Sequence, residues 1–369
     1  MPVSVDALEI RRVSLPLVEP FRTSFGVELE RHAVLVRVLG TGPDGWGECV
    51  AMTEPLYSSE YADGAARVLR DHLAPRIVGR RLAAEDVSDA LGAVRGHPMA
   101  KAAIEMAVLD AELRAEGRSL ADRLGATRDR VPSGISIGIT ASVDELLALV
   151  SSHLDSGYLR VKLKIQPGWD LDPVRAVRER FGEDLALQVD ANGAYTLDDA
   201  EHLANLDAFD LLLIEQPLAE DDLTGHAELA RRMRTPVCLD ESITSAARAA
   251  EAITLGACSV VNIKAGRVGG YLEAVRVHDV CLAAGVPVWC GGMLETGLGR
   301  AANVALAALP GFTRTGDLSA SSRWFAEDLT VPLELEDGHL AVPAGPGLGV
   351  EPRADVLARV TTEVELVQA

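Results

Sequence analysis

From about residue 132 onward, short apolar runs recur at intervals of about 25 residues, with amphipathic helical patterns between them. The runs are GISIGI, LRVKLKI, LALQVD, LLLIE, PVCLDE, VVNIK and VPVWC, with TRTGDL a weaker eighth. Strand, helix and strand repeating at this spacing imply right-handed crossovers and a parallel sheet. About eight such units imply a closed barrel.

Ahead of this rhythm the chain reads differently. Residues near 5–15, 31–40 and 45–52 form a three-stranded meander pattern, with GTGPDG turning between the last two. Helical patterns follow, clearest in HPMAKAAIEMAVLDAELRAEG, where Ala102, Met106, Leu109 and Leu113 repeat on one face. This predicts an α+β unit. After the barrel, LELEDGHLAVPAGPGLGV returns to a hairpin-like pattern and is expected to rejoin the first unit. The expected divisions are residues 1–128, 129–322 and 323–369. At 369 residues, 48% hydrophobic and 24% charged, the chain can bury a barrel and a smaller domain.

A net charge of −20 argues against nucleic acid or an anionic membrane as partner, since both would be repelled at long range. The substrate is therefore expected to be small. If it is anionic, a divalent cation or clustered lysines must overcome the global field. Five cysteines without a CxxC pair read as reduced, buried, cytoplasmic thiols. The N-terminal MPVSVDALEIRRVSLPLV has no continuous apolar stretch, and no segment reaches about 18 uninterrupted apolar residues. Neither a membrane span nor a secretory signal is expected.

The polar residues fall at the strand ends. LALQVD ends at Asp190, LLLIE at Glu215, PVCLD at Asp240 and VVNIK at Lys264, while LRVKLKI carries Lys162 and Lys164. A parallel barrel gathers all these ends at one mouth. Singly, each acid reads as a helix N-cap; capping does not account for three in succession flanked by lysine-bearing strands. Three carboxylates aimed at one spot repel one another unless a cation sits between them. Oxygen ligands alone, with all eight histidines outside the strand ends, favour Mg²⁺ over zinc.

The lysines alternate with Val161, Leu163 and Ile165. On an exposed sheet edge that pattern is ordinary. In a barrel lumen it is costly and therefore chemical. Lys164 and Lys264 would stand on opposite sides of the axis, and a nearby Mg²⁺ and Lys162 are expected to lower a lysine's pKa toward neutrality. A base on each face of a metal-bound carboxylate suits removal of an α-proton through an enediolate.

KLKI, VDAN, IEQP, LDES and NIKAGRVGG resemble the signature segments of the enolase superfamily, in its muconate-cycloisomerase-like subgroup. PFRTSFG, GWGECVAM, EPLYSSEY, MAKAAIEMAVLDAELRA and CGGMLETGLGRAANVALA extend the resemblance over essentially the whole chain. It implies an α/β fold: a modified (β/α)7β TIM-like barrel with an α+β capping domain formed by the N-terminal region and the C-terminal tail. It further implies Lys164 and Lys264 as acid/base catalysts with Lys162 assisting, and Asp190, Glu215 and Asp240 holding Mg²⁺, for which Mn²⁺ or Co²⁺ can substitute. Glu241 would stand behind these ligands. Ser136, Asn192, Met293, Leu294 and Arg267 from the barrel, and Phe21, Met52 and Tyr57 from the cap, would contact a small carboxylate substrate. The implied activity is racemisation of N-acetyl- or N-succinylamino acids, with o-succinylbenzoate synthesis as the alternative or companion reaction, the latter belonging to menaquinone biosynthesis. A cytoplasmic homo-oligomer, octameric as in many relatives, is also implied. Two positions depart from the pattern: Ala265 stands where proline is expected, which should loosen that loop, and Gly193 where threonine or serine is expected.

Other readings explain less. A glycoside hydrolase uses two strand-end carboxylates but leaves three lysines unexplained. A Schiff-base aldolase needs one lysine and no acid triad, and a non-catalytic barrel would not retain all six residues. A dipeptide epimerase predicts DxD on the eighth strand, where this chain has Asp317 alone, and mandelate-racemase-like enzymes use a histidine that is absent here. Phe21, Met52, Met293 and Leu294 read equally well as interdomain core, and Arg267 as either a substrate-side cation or an exposed loop residue.

Overall fold

The structure, a computed structural model, describes residues 1–24 and 26–368; Phe25 of the PFRTSFG segment and Ala369 lie outside the described residues. The meander forms as read, with a longer first strand: β1 (Ala7–Arg22), β2 (Val27–Leu39) and β3 (Gly45–Cys49) pair antiparallel. One face of this sheet meets helix α1 (Pro98–Glu116). Gly45 and Gly47 allow the close approach, because a Cβ at either would come within 1.9 Å of the Ala107 or Ala103 carbonyl oxygen.

Helix α1 differs from the one-faced expectation. From Met99 to Leu113 every residue except Lys101 is buried. The helix is covered by the cap sheet on one side and by the barrel turn at 265–268 on another, so polar positions such as Glu105 and Asp110 are enclosed with the apolar ones.

The seven stronger runs become β4 (Gly134–Ile137), β5 (Arg160–Lys164), β6 (Leu187–Asp190), β7 (Ile214–Glu215), β8 (Val237–Leu239), β9 (Val260–Ile263) and β10 (Val288–Cys290). They lie side by side in sequence order in one parallel sheet. The weak eighth run does not form a strand. Residues 314–317 nevertheless join the two edges: Arg314 and Asp317 N–H donate to the Val288 and Cys290 carbonyls of β10, and Gly134 N–H of β4 donates to the Gly316 carbonyl. Gly316 permits this, since a Cβ there would lie 2.6 Å from the Cys290 carbonyl oxygen. Inside the sheet, Leu213, Cys238, Val260 and Trp289 form a small apolar cluster of their own.

After β9 come the short helix α2 (Ala265–Val268), which Lys264 caps, then α3 (Tyr271–Ala283) and, after β10, α4 (Gly297–Ala307). The tail behaves in two ways. Its hairpin turns at Asp337 and Gly338, both with positive φ, and its strand His339–Ala341 pairs with Arg130–Pro132 at the entry to the barrel instead of with the cap. The last strand, β11 (Thr361–Gln368), does return to the cap and pairs antiparallel with β1. All five cysteines are buried and unbonded. Among the described residues no helix is long and apolar enough to cross a membrane.

Candidate active site

Strand register brings the chemistry together. Lys164, Asp190 and Glu215 are direct neighbours across β5, β6 and β7. Asp240 follows β8, and Lys264 ends β9 as the N-cap of α2. Strand β5 is buried along its whole length. Val161, Leu163 and Ile165 belong to the apolar core, while the alternate residues Lys162 and Lys164 point to the acids of the neighbouring strands. The two candidate bases thus stand on β5 and β9 with the three acid-bearing strands between them.

The ammonium groups are held by carboxylates. Lys164 Nζ donates to Asp190 (2.6 Å) and to the Asn192 side-chain oxygen (2.7 Å). Lys264 Nζ donates to Asp240 (2.8 Å) and to the Tyr57 hydroxyl (3.2 Å), and lies 4.7 Å from the centre of the Tyr57 ring. Tyr57 thereby carries the cap into the barrel mouth. Lys162 Nζ contacts Glu215 at 2.7 Å, Asp190 at 3.0 Å and Asp317 at 2.5 Å.

These contacts favour the charged form of two of the lysines, whereas the expected lowering depends on a neighbouring Mg²⁺. Burial works against the charge of Lys162, yet Asp317, Glu215 and Asp190 hold its pKa above the ordinary lysine value. At Lys264 burial is again outweighed, by the Tyr57 oxygen and the carboxylates of Glu241, Glu215 and Asp190. Among the acids, burial is overcome at Asp190, which Lys164 and Lys162 hold well below the usual carboxylate range. Burial and then repulsion from Asp190 raise Glu215, and the same two causes push Glu241 up to about 7. Glu241 accepts a hydrogen bond from the Asn192 amide (2.9 Å) through Oε1, while its Oε2 is buried without a partner.

The donor set fits a hard divalent cation by its chemistry: Asp190, Glu215 and Asp240 are buried oxygen donors from successive strands, and burial together with repulsion from Asp190 raises Glu215 and the neighbouring Glu241. Among the described residues no three His, Cys, Asp or Glu side chains already converge as a ligand cluster. The lysine ammonium groups occupy the carboxylate oxygens instead.

Above these charges opens a cavity of about 450 Å³. It is lined by Ser136, Lys162, Lys164, Asn192, Lys264, Met293 and Leu294 from the barrel and by Phe21, Met52 and Tyr57 from the cap. Phe21, Met52, Met293 and Leu294, readable as interdomain core, therefore also face the cavity. Arg267 does not line it and is not exposed. It is 4% exposed, paired with Asp240, and donates to the Tyr57 hydroxyl and to the Ile243 and Asn262 carbonyls. It fixes Asp240 from behind, in place of the substrate contact expected.

The two departures from the family pattern have local reasons. Ala265 begins a helical turn and is buried. Gly193 has φ +74°, where a β-carbon would be strained. Non-glycine residues with positive φ follow β6 at Asn192, β7 at Gln216 and β10 at Leu294, and backbone strain of this kind gathers where side chains must be aimed.

Sequence reasoning did not place Asp317 or Trp324 at the site, and both line the cavity. Asp317 was visible as the acid of the weak eighth run. Trp324, packed edge-on against Phe21 with ring centres 5.1 Å apart, lies beyond the last run, where no strand rhythm points inward.

Comparison with known proteins agrees with this architecture. Residues 7–125 match the mandelate racemase/muconate lactonizing enzyme N-terminal domain and residues 145–356 the enolase C-terminal domain-like family. An N-succinylamino acid racemase from an Amycolatopsis species is 62% identical over 365 residues, 98% of each chain. An o-succinylbenzoate synthase from Bacillus subtilis is 42% identical over 367 residues, 99% of this chain and 98% of that one. The crystal structure of an enolase superfamily member from Listeria innocua superposes with a TM-score of 0.95 at 39% identity, covering 99% of both chains. With a lysine-flanked acid triad at the mouth of the barrel and both domains matched, the chain belongs to the enolase superfamily, in its mandelate racemase/muconate lactonizing enzyme branch.

Proposed function

We propose that this protein racemises N-acylamino acids, N-succinylamino acids foremost, by moving the α-proton between Lys164 and Lys264. The observation that carries the reading is the position of these lysines on β5 and after β9, either side of three acid-bearing strands, lining one cavity between cap and barrel. One lysine, as the free amine, takes the α-proton from its face of the substrate. The other, as ammonium, returns a proton to the opposite face, and the roles exchange for the other enantiomer. Tyr57 and Asp240 orient Lys264, while Asp190 and Asn192 orient Lys164. Asp190, Glu215 and Asp240 would hold Mg²⁺, which when bound neutralises the charge that develops on the substrate carboxylate as the enediolate forms. Met52, Met293 and Phe21 would receive the amino-acid side chain or acyl group.

Dehydration to o-succinylbenzoate is the second reading. It is favoured by the 42% identity to a synthase over nearly the whole chain, and it needs the same proton abstraction with loss of a hydroxyl group. Lys164→Ala and Lys264→Ala test the two-base reading in D₂O. Each variant should lose racemisation yet exchange the α-hydrogen of one enantiomer, and the two should choose opposite enantiomers. Exchange of the same enantiomer by both, or racemisation by either at the wild-type rate, would contradict the assignment.

A further inference from the structure

Lys162 presents a difficulty for a cation held by Asp190 and Glu215. Its ammonium already bonds both of these carboxylates, at 3.0 and 2.7 Å. A divalent cation taking their oxygens would stand beside a fixed positive charge, so the ammonium has to withdraw toward some other anion. The third carboxylate it touches is Asp317, at 2.5 Å, which comes from the segment joining β10 to β4 and is none of the three acids assigned to the metal.

Asp317 is itself fixed. Its other oxygen pairs with Arg160 at 2.7 Å. Arg160 is 1% exposed and donates to the Ile135 and Thr315 carbonyls. The guanidinium has room because residue 134 is glycine, where a Cβ would lie 2.5 Å from the Arg160 Cζ. Beneath Lys162, the Trp289 ring centre lies 4.9 Å from Nζ and closes the floor. Arg160 lies 5.5 Å from the same ring centre, and Asp317 bridges the two cations.

We propose that Asp317 is a positioning residue that takes the Lys162 ammonium off Glu215 and Asp190, and so sets how tightly the site binds a divalent cation. This rests on the metal reading above. Without the Asp317 charge, the metal carboxylates are the anionic partners left to Lys162 among the described residues, and it competes with the cation for them.

The test is a double-mutant cycle read by Mn²⁺ binding to substrate-free protein, with free Mn²⁺ measured by electron paramagnetic resonance. Asp317→Asn should weaken binding about tenfold, and Lys162→Met should bind at least as tightly as the wild type. In the Lys162→Met background, Asp317→Asn should cost less than about threefold, because the competitor is gone. Equal losses in both backgrounds would overturn the proposal in favour of Asp317 acting on the cation directly. Wild-type affinity in Asp317→Asn would overturn it while leaving the metal reading standing. Wild-type protein that binds no Mn²⁺ would overturn both. The Lys162→Met arm keeps its force if Asp317→Asn does not fold, since weaker binding by that variant alone contradicts the competition.

Discussion

Removing the Glu48 carboxylate should loosen the wall of the cavity from the cap side. Glu48 sits on β3 and is 3% exposed. It accepts the Thr296 N–H at 3.0 Å, the Thr296 hydroxyl at 2.7 Å and the Gly299 N–H at 3.0 Å, so a cap residue closes the N-terminus of α4 directly after Met293 and Leu294. The first turn of a helix has backbone donors without intrahelical partners, and a negative charge there is favourable. Glu48→Ala leaves two buried N–H groups unpaired, at about 1–3 kcal/mol each. Part is regained because burial raises the Glu48 pKa, which means its charge is already costly. The net loss is about 3 kcal/mol, or about 5 °C in melting temperature for a chain of this size. Glu48→Gln keeps an acceptor and should lose about half as much. Scanning calorimetry and urea unfolding measure both. A Glu48→Ala variant as stable as the wild type, or a Gln variant as damaged as the Ala one, would refute the capping argument.

Glu105 on α1 accepts the Leu272 N–H at 3.1 Å, and its pKa is pushed up to about 7 by burial. The fold prefers its protonated form, so the contribution is full below the ordinary value of 4.5 and is lost as pH rises through about 7. Relative to wild type, Glu105→Gln should gain about 3 kcal/mol between pH 5 and pH 8 in urea titrations; no change with pH would contradict the burial argument. Chelation by EDTA should stop turnover and Mg²⁺ or Mn²⁺ should restore it, and Glu215→Gln should be inactive by at least about a thousandfold while retaining its circular dichroism. Full activity after chelation would end the metal reading. With Phe21, Met52 and Met293 on the cavity wall, N-acylmethionine and N-acylphenylalanine should show higher kcat/KM than N-acylaspartate, and a preference for the charged substrate would count against that pocket assignment.

The barrel and the residues at its mouth were legible in the order of the strands alone. A parallel βα repeat gathers every strand's carboxyl end on one side, so Asp190, Glu215, Asp240, Lys164 and Lys264 could be placed together from their positions alone, and strand alternation turned Lys162 and Lys164 inward. Both are rules of local geometry. Tertiary structure decided what each side chain meets. Arg267 follows a strand as a substrate-binding cation would, yet it turns back to Asp240; helix α1 shows one apolar face but is enclosed on nearly all sides. Glu48 and Glu105 accept from helix-end N–H groups of Thr296 and Leu272, 248 and 167 residues away, and Asp317 meets Lys162 only because a segment too irregular to read as a strand joins β10 to β4. The upward pKa shifts of Lys162 and Lys264 have the same origin. A periodic pattern specifies the direction of a side chain, whereas its partner and its charge depend on residues distant in sequence that only packing brings near.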